Sequence, residues 1–408
     1  MYGLVLAGGG SKGSYQIGVW KALKELDIEI SVVTGTSVGS INGALIAQGA
    51  FEKALDIWSN ISVDQIINID SQLFNEILNF NIDIRDKKNM TQLLSHIDSF
   101  FKKKGLDITP LQELIDKNID EKRIRQSNID FGLVTVSLTD KEAIEVFIED
   151  IPKGKLNDYI LASSYLPGFM PMKLDGKRFI DGGLYDNLPI NLMIEKKIDR
   201  IIAVDLKAIG KKQPVKDKEI DILYISPSDD LGNILDFNAE RANKNIQLGY
   251  LDTLKAFEKL SGVKYYLKDI PSLEELFKYI NRLKREEIEG VLKLLNMEPA
   301  KTNRILYEKL IPKIAQLYDA KDEDDYDIVF IKIVEYLAQH YEIERLEIYE
   351  FDDLVNMIIS RINQERSESL SDSKTPLEVI KEKFTINIPK DEVAKLILKL
   401  YEEKVLSN

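Results

Sequence analysis

Val32-Val33-Thr34-Gly35-Thr36-Ser37-Val38-Gly39-Ser40-Ile41 is the stretch that decides how this chain reads. A short apolar strand over 31–34 runs into a glycine-flanked serine, then into a helix of small and aliphatic residues over 38–49. A strand that turns sharply into a helix thrusts the intervening serine outward as a nucleophile. Gly35 and Gly39 lack side chains because such a turn brings the strand and helix backbones together. Ser37 then stands at a helix N-terminus, where the dipole favours negative charge on an attacking or departing oxygen. The rival reading of these five residues alone is a serine N-cap with incidental glycines.

Upstream, Gly8-Gly9-Gly10-Ser11-Lys12-Gly13 also lies between an apolar strand, 4–7, and a helix, 14–26, with an apolar stripe of Ile17, Trp20, Leu23 and Leu26. Consecutive glycines leave N–H groups uncovered, as an oxyanion hole requires, so Gly8, Gly9, Gly10 and Ser11 are the candidate donors. Lys12 either faces an anionic group of the substrate or lies at the surface. The loop also spells a dinucleotide fingerprint, which needs an acidic residue about 20 positions on, at the end of the next strand. Val33, Thr34, Gly35 and Thr36 stand there instead, and Asp27 and Glu29 come before that strand. A phosphate-binding P-loop needs Gly-Lys-Ser/Thr, whereas Lys12 precedes Gly13.

A serine nucleophile needs a base. The chain has two histidines, His96 and His340, both in helical runs and neither on a glycine-flanked turn. The serine proton must then go to another group. Asp181, in Ile180-Asp181-Gly182-Gly183 after a short strand over 177–180, is the best placed carboxylate. Flanking glycines permit close approach, and Phe179 and Tyr185 would shield it, raising its proton affinity toward the working pH. Alone, Asp-Gly-Gly reads as a turn.

The glycine loop, the Gly-Thr-Ser-Val-Gly elbow and the Asp-Gly-Gly turn, in this order, resemble the patatin-like phospholipase family. Ala162-Ser163-Ser164-Tyr165-Leu166-Pro167-Gly168-Phe169-Met170-Pro171 resembles that family's segment ahead of the aspartate, and Asn187-Leu188-Pro189 the segment after it. The resemblance covers about residues 1–205. It implies a three-layer α/β/α core and a lipid acyl hydrolase with Ser37 as nucleophile, Asp181 as its partner and the loop at 8–13 as oxyanion hole. The substrate class it implies is phospholipids or other acyl esters, met at a transient membrane surface, without cofactor or metal. Two further readings stand beside it: an acyltransferase using the same two residues, and a non-catalytic lipid-binding or scaffolding protein.

The remaining sequence frames this site. The chain has 408 residues with 44% hydrophobic and 30% charged, which reads as globular. Its net charge of −13 argues against nucleic acid as a partner. Cysteine is absent, which excludes disulfides and thiolate metal sites. No stretch reaches the ~18 apolar residues of a membrane span, and the apolar run at 4–7 ends too soon for a signal sequence. A cytoplasmic location with peripheral membrane contact is the expectation. Of 22 glycines, 20 lie within 1–260. We therefore expect an α/β hydrolytic domain over 1–260, with further strands at 131–137, 143–148, 200–206 and 220–225, and a mainly helical domain over 261–408. The Phe100-to-Gly105 run reads as a cationic helix ending, Lys211, Lys212, Lys216 and Lys218 as a solvated loop, and the acidic run 321–327 as an exposed linker lacking the EF-hand glycine.

Overall fold

Short apolar, β-branched segments form the central sheet of the first of two compact units. The structure, a computed structural model, describes residues 1–68, 106–167, 169, 173–299, 304–321, 324–371 and 390–406. His96, the Phe100-to-Gly105 run, Gly168, Met170 and Pro171 lie outside the described residues. The chain divides into two compact units, Met1–Phe257 and Glu258–Asn408.

In the first unit the strands are Tyr2–Leu6 (β1), Ile30–Thr36 (β2), Asp130–Ser137 (β3), Glu142–Phe147 (β4), Lys173–Leu174 (β5), Lys177–Asp181 (β6), Arg200–Val204 (β7) and Asp221–Ile225 (β8). They form one sheet in the order β5-β6-β3-β2-β1-β7-β8, with β4 also on β3. The run from β3 to β8 is parallel, while β4 and β6 pair antiparallel with β3. The register sets Leu6 opposite Gly35 and Thr135 opposite Asp181, so the ends of β1, β2 and β6 gather at one edge of the sheet.

Helices cover both faces. They include Ser14–Glu25 (α1), Val38–Ala47 (α2), Phe51–Ser59 (α3), Thr109–Asn118 (α4), Leu156–Ser163 (α5), Ile190–Ile194 (α6) and Ala239–Ala256 (α7). On one face, a Cβ on Gly43 of α2 would touch Phe131 and Val33. On the other, Met193 of α6 fills the space beside Gly3, and Thr34 Oγ1 donates to Pro189 O at 3.3 Å. Successive residues 33 and 34 thus serve opposite layers, as the strand's two-residue period requires. The three-layer α/β/α arrangement expected from the sequence is present. The antiparallel edge made by β4, β5 and β6 was not specified by periodicity.

The second unit contains Leu273–Arg282 (α8), Arg285–Leu294 (α9), Tyr326–His340 (α10), Phe351–Ser371 (α11) and Lys390–Tyr401 (α12) around a core that includes Val334, Leu337 and Leu354. It also holds a two-stranded parallel sheet, Tyr266–Lys268 (β9) with Ile348–Glu350 (β10). Three residues are too short for an alternating pattern, so the sequence showed only helices here. The buried Glu335 fixes the approach to β9 by accepting from the backbone N–H of Val263, Lys264 and Tyr265. In the acidic run, Asp324 pairs with Lys332 at 2.6 Å.

Candidate active site

Ser37 ends β2 and opens α2 with φ 55° and ψ −128°. That conformation costs a non-glycine residue on the order of 1–3 kcal/mol and persists only where its surroundings enforce it. They do so through close backbone approach. A Cβ on Gly35 would lie 2.2 Å from Gly39 O, and one on Gly39 would lie 2.3 Å from Leu6 O. The Ser37 N–H donates to Ser163 Oγ at 2.9 Å, and Ser163 Oγ donates to Val134 O at 2.6 Å. Ser163 therefore ties the strained turn to β3, a role the sequence did not reveal. Ser163→Ala leaves a buried N–H without its acceptor, which costs about 1–3 kcal/mol. The expected result is a lower melting temperature and reduced turnover, with Ser163→Thr restoring both, checked by thermal unfolding and ester hydrolysis.

Asp181 is brought to the same place by β6, and its side chain is 4% exposed. Its Oδ1 accepts from Gly183 N at 2.7 Å. The Ser37 hydroxyl lies beside the carboxyl and acts on it, although Oδ2 has no aligned hydrogen bond. Burial pushes the Asp181 pKa from 3.8 up to about 6, opposed by the Ser37 hydroxyl and the Gly183 N–H. Tyr185, expected as a shield, instead directs its hydroxyl to Glu145 at 3.4 Å. Phe179 is half-buried in β6.

A second carboxylate, Asp186, is fully buried nearby in sequence. Its Oδ1 accepts from the N–H of Gln213 and Leu188, and burial again raises its pKa to about 6. Its carbonyl accepts from Thr36 Oγ1 at 2.8 Å, so it braces the strand end one residue before the serine. Lys211, Lys212, Lys216 and Lys218, after β7, are exposed in a loop, as expected, and the backbone of that loop is tied to the site. Lys211 N donates to Gly183 O, and Asn187 N donates to Lys211 O.

In the glycine loop, Gly8 N donates to Asn187 O at 3.1 Å and Ser11 N to Ile234 O at 2.9 Å. Two of the four candidate donors are thus engaged within the fold. The N–H groups of Gly9 and Gly10 have no acceptor among the described residues. Gly10 has φ +57°, and a Cβ there would lie 2.1 Å from Ile234 O. Lys12 is half-buried; burial lowers its ammonium pKa, and the Asp230 carboxylate opposes that.

Ser37 and Gly10 both line an apolar cleft. Its walls include Ile41 and Leu45 of α2, Ile115 of α4, Trp58 and Phe169. Trp58 places its Nε1–H on Asn42 Oδ1 at 2.9 Å, so its polar edge is satisfied. No pattern in the sequence announced this cleft, because its walls come from six separate segments of the chain. The apolar character of α2 on all sides was the one available hint.

No histidine occurs among the described residues of the first unit. His340 ends α10 in the second unit, with Nδ1 3.7 Å from Asp391. Among the described residues no cluster of three or more potential metal-ligating side chains occurs. The sequence profile of the patatin-like phospholipase family matches residues 4–194, a span holding the elbow, the glycine loop and Asp181. Residues 4–194 are a patatin-like phospholipase domain. This chain is 27% identical over 285 residues to "Lysophospholipase NTE1" of Saccharomyces cerevisiae, covering 67% of this chain and 15% of that protein. It is 30% identical over 218 residues to "Lysophospholipase nte1" of Aspergillus niger, covering 52% and 12% respectively. "Patatin-like phospholipase domain-containing protein 7" of Rattus norvegicus is 27% identical over 206 residues, half of this chain and 13% of its own length. The chain thus spans a small fraction of each of these relatives. Among solved structures, VipD from Legionella pneumophila aligns over 99% of this chain and 91% of its own at 13% identity and a TM-score of 0.40. Most of the walls of the cleft lie within residues 4–194, and Ile234, Leu235 and Phe237 close it from beyond that span.

Proposed function

We propose that the patatin-like domain is a lipid acyl hydrolase acting on phospholipids, lysophospholipids or related esters. The observation that carries this reading is a strained serine beside a buried, proton-avid carboxyl, at the wall of an apolar cleft. The names of the curated relatives, lysophospholipases among them, support the substrate class.

In the proposed reaction the acyl chain occupies the cleft and the ester carbonyl meets Ser37 Oγ. As Oγ bonds to the carbonyl carbon, its proton passes to Asp181. The carbonyl electron pair moves to oxygen, and the N–H groups of Gly9 and Gly10 receive that oxyanion. Collapse breaks the bond to the leaving alcohol, which takes the proton from Asp181. Water then attacks the acyl-enzyme and gives a proton to Asp181; the second collapse releases the fatty acid and returns that proton to Ser37. Lys12, the cation of the glycine loop, is assigned to an anionic substituent of the substrate. Among the described residues no helix is long and apolar enough to cross a membrane, and the substrate is taken from a lipid surface by transient contact.

A fluorophosphonate probe tests the reading. Wild type is expected to label once in the presence of detergent and lysophospholipid, and to release fatty acid. Ser37→Ala is expected to do neither, while melting as wild type within about 1 kcal/mol, since a buried hydroxyl is removed without opening a large cavity. Labelling that persists in Ser37→Ala removes Ser37 from its role.

A further inference from the structure

Asn187 follows the Asp-Gly-Gly turn by four residues and is 2% exposed. Its backbone is fixed: the N–H donates to Lys211 O at 2.6 Å, and the carbonyl accepts from Gly8 N at 3.1 Å. Its side chain returns to the same glycine, with Nδ2 donating to Gly8 O at 3.2 Å. Gly8 is therefore held by one residue through both its N–H and its C=O.

The second of these bonds bears on the proposed chemistry. Gly8 C=O and Gly9 N–H belong to one planar trans peptide, so they point in opposite directions. Anchoring Gly8 O on the Asn187 amide fixes the direction of Gly9 N–H, one of the two loop donors left without an acceptor. The position is also central. A Cβ on Gly8 would lie 2.4 Å from Asn187 Oδ1 and 3.1 Å from Ser37 Cβ. One on Gly183 would lie 2.7 Å from the same Oδ1 and 3.0 Å from Asp181 Oδ1. The Asn187 amide thus touches the glycine loop beside the serine and the turn beside the aspartate. Gly210 lets it seat there, since a Cβ at 210 would lie 2.6 Å from Asn187 Cβ.

We infer that Asn187 is a positioning residue for the oxyanion hole, its side-chain amide orienting the Gly8–Gly9 peptide so that Gly9 N–H meets the developing oxyanion. The inference rests on the hydrolase reading above. It distinguishes Asn187 from a residue that only supports the fold, because the effect falls on the transition state and leaves ground-state binding intact.

The test uses the full chain, with p-nitrophenyl butyrate as a soluble ester and a trifluoromethyl ketone as the reversible mimic of the tetrahedral intermediate. Asn187→Asp keeps the side-chain shape while replacing the donor with an acceptor that repels Gly8 O. Asn187→Ala removes the amide altogether. For each variant that melts cooperatively, kcat is expected to fall ~10²-fold, in the range of a lost oxyanion donor, with KM changed less than about threefold. Ketone affinity should fall in parallel with kcat/KM. Wild-type kcat in folded Asn187→Asp overturns the inference alone, as does unchanged ketone affinity. Failure of both variants to fold assigns Asn187 to architecture and overturns it equally. A wild type that neither labels with fluorophosphonate nor hydrolyses ester removes the hydrolase reading, and this inference with it.

Discussion

Asp181→Asn is expected to lower turnover by roughly 10²–10⁴-fold, the contribution of a positioned general base, and to raise the melting temperature at pH 8. The two effects have one cause. Asp181 is an acid whose pKa rises from 3.8 to about 6 because burial penalises its charge. A carboxyl with a raised folded-state pKa binds its proton more tightly in the folded chain. Its stabilising contribution is complete below the unfolded value and is lost as pH rises toward about 6. At pH 8 the folded chain therefore carries a buried charge, at a cost of up to roughly 3 kcal/mol. Asparagine removes that charge and keeps the hydrogen bonds, its Oδ1 accepting from Gly183 N and its Nδ2 facing the Ser37 hydroxyl. The stabilisation should amount to several degrees at pH 8 and vanish near pH 4, where wild type is already protonated. Thermal melts of both proteins at the two pH values check this. An equal difference at both would show that the Asp181 charge is not what destabilises the fold. In wild type, kcat/KM for a neutral ester should fall about tenfold per pH unit below pH 6, as the base is protonated.

This trade explains what was legible in the sequence and what was not. The turns that carry Ser37 and Asp181 and the glycine loop stand out in the sequence because each holds glycines at fixed offsets, and backbone collisions at Gly35, Gly39 and Gly10 show why no other residue fits there. The parallel centre of the sheet was readable because β1, β2 and β7 are buried on both faces and carry short apolar runs, Leu4–Leu6, Val32–Val33 and Ile201–Val204. Along the half-exposed edge the strands over 143–148 and 177–180 were readable, but the two-residue β5 and the antiparallel pairing were not. The structural roles of Ser163, Asp186 and Asn187 escaped for a different reason. Each works through a partner distant in sequence: Ser37, 126 residues from Ser163; Gln213, 27 residues from Asp186; and Gly8, 179 residues from Asn187. No local pattern marks such a pairing. The loop donors show the opposite error, since sequence offered Gly8, Gly9, Gly10 and Ser11 alike, while the fold engages the N–H groups of Gly8 and Ser11. Periodicity likewise could not show that Lys211 supplies both an acceptor and a donor behind the Asp-Gly-Gly turn.

Gly10→Ala separates the catalytic demand on the loop from its conformational one. Gly10 and Gly176 both have positive φ, +57° and +77°, so alanine at either position carries a backbone cost of about 1 kcal/mol. Their surroundings differ. Nothing lies within 4 Å of a Cβ on Gly176, whereas a Cβ on Gly10 would meet Ile234 O at 2.1 Å. That oxygen cannot yield independently, because it already accepts the Ser11 N–H at 2.9 Å. Relieving the collision moves the loop against its anchor and turns the Gly10 N–H away from its present direction. Gly10→Ala should therefore lower kcat by ~10²–10³-fold, as when an oxyanion donor is lost. Gly176→Ala should lose only the backbone cost in stability and keep wild-type turnover. The strain and the chemistry are then read from one pair of variants by melting temperature and kcat. Turnover in Gly10→Ala as high as in Gly176→Ala would remove the Gly10 N–H from the oxyanion hole.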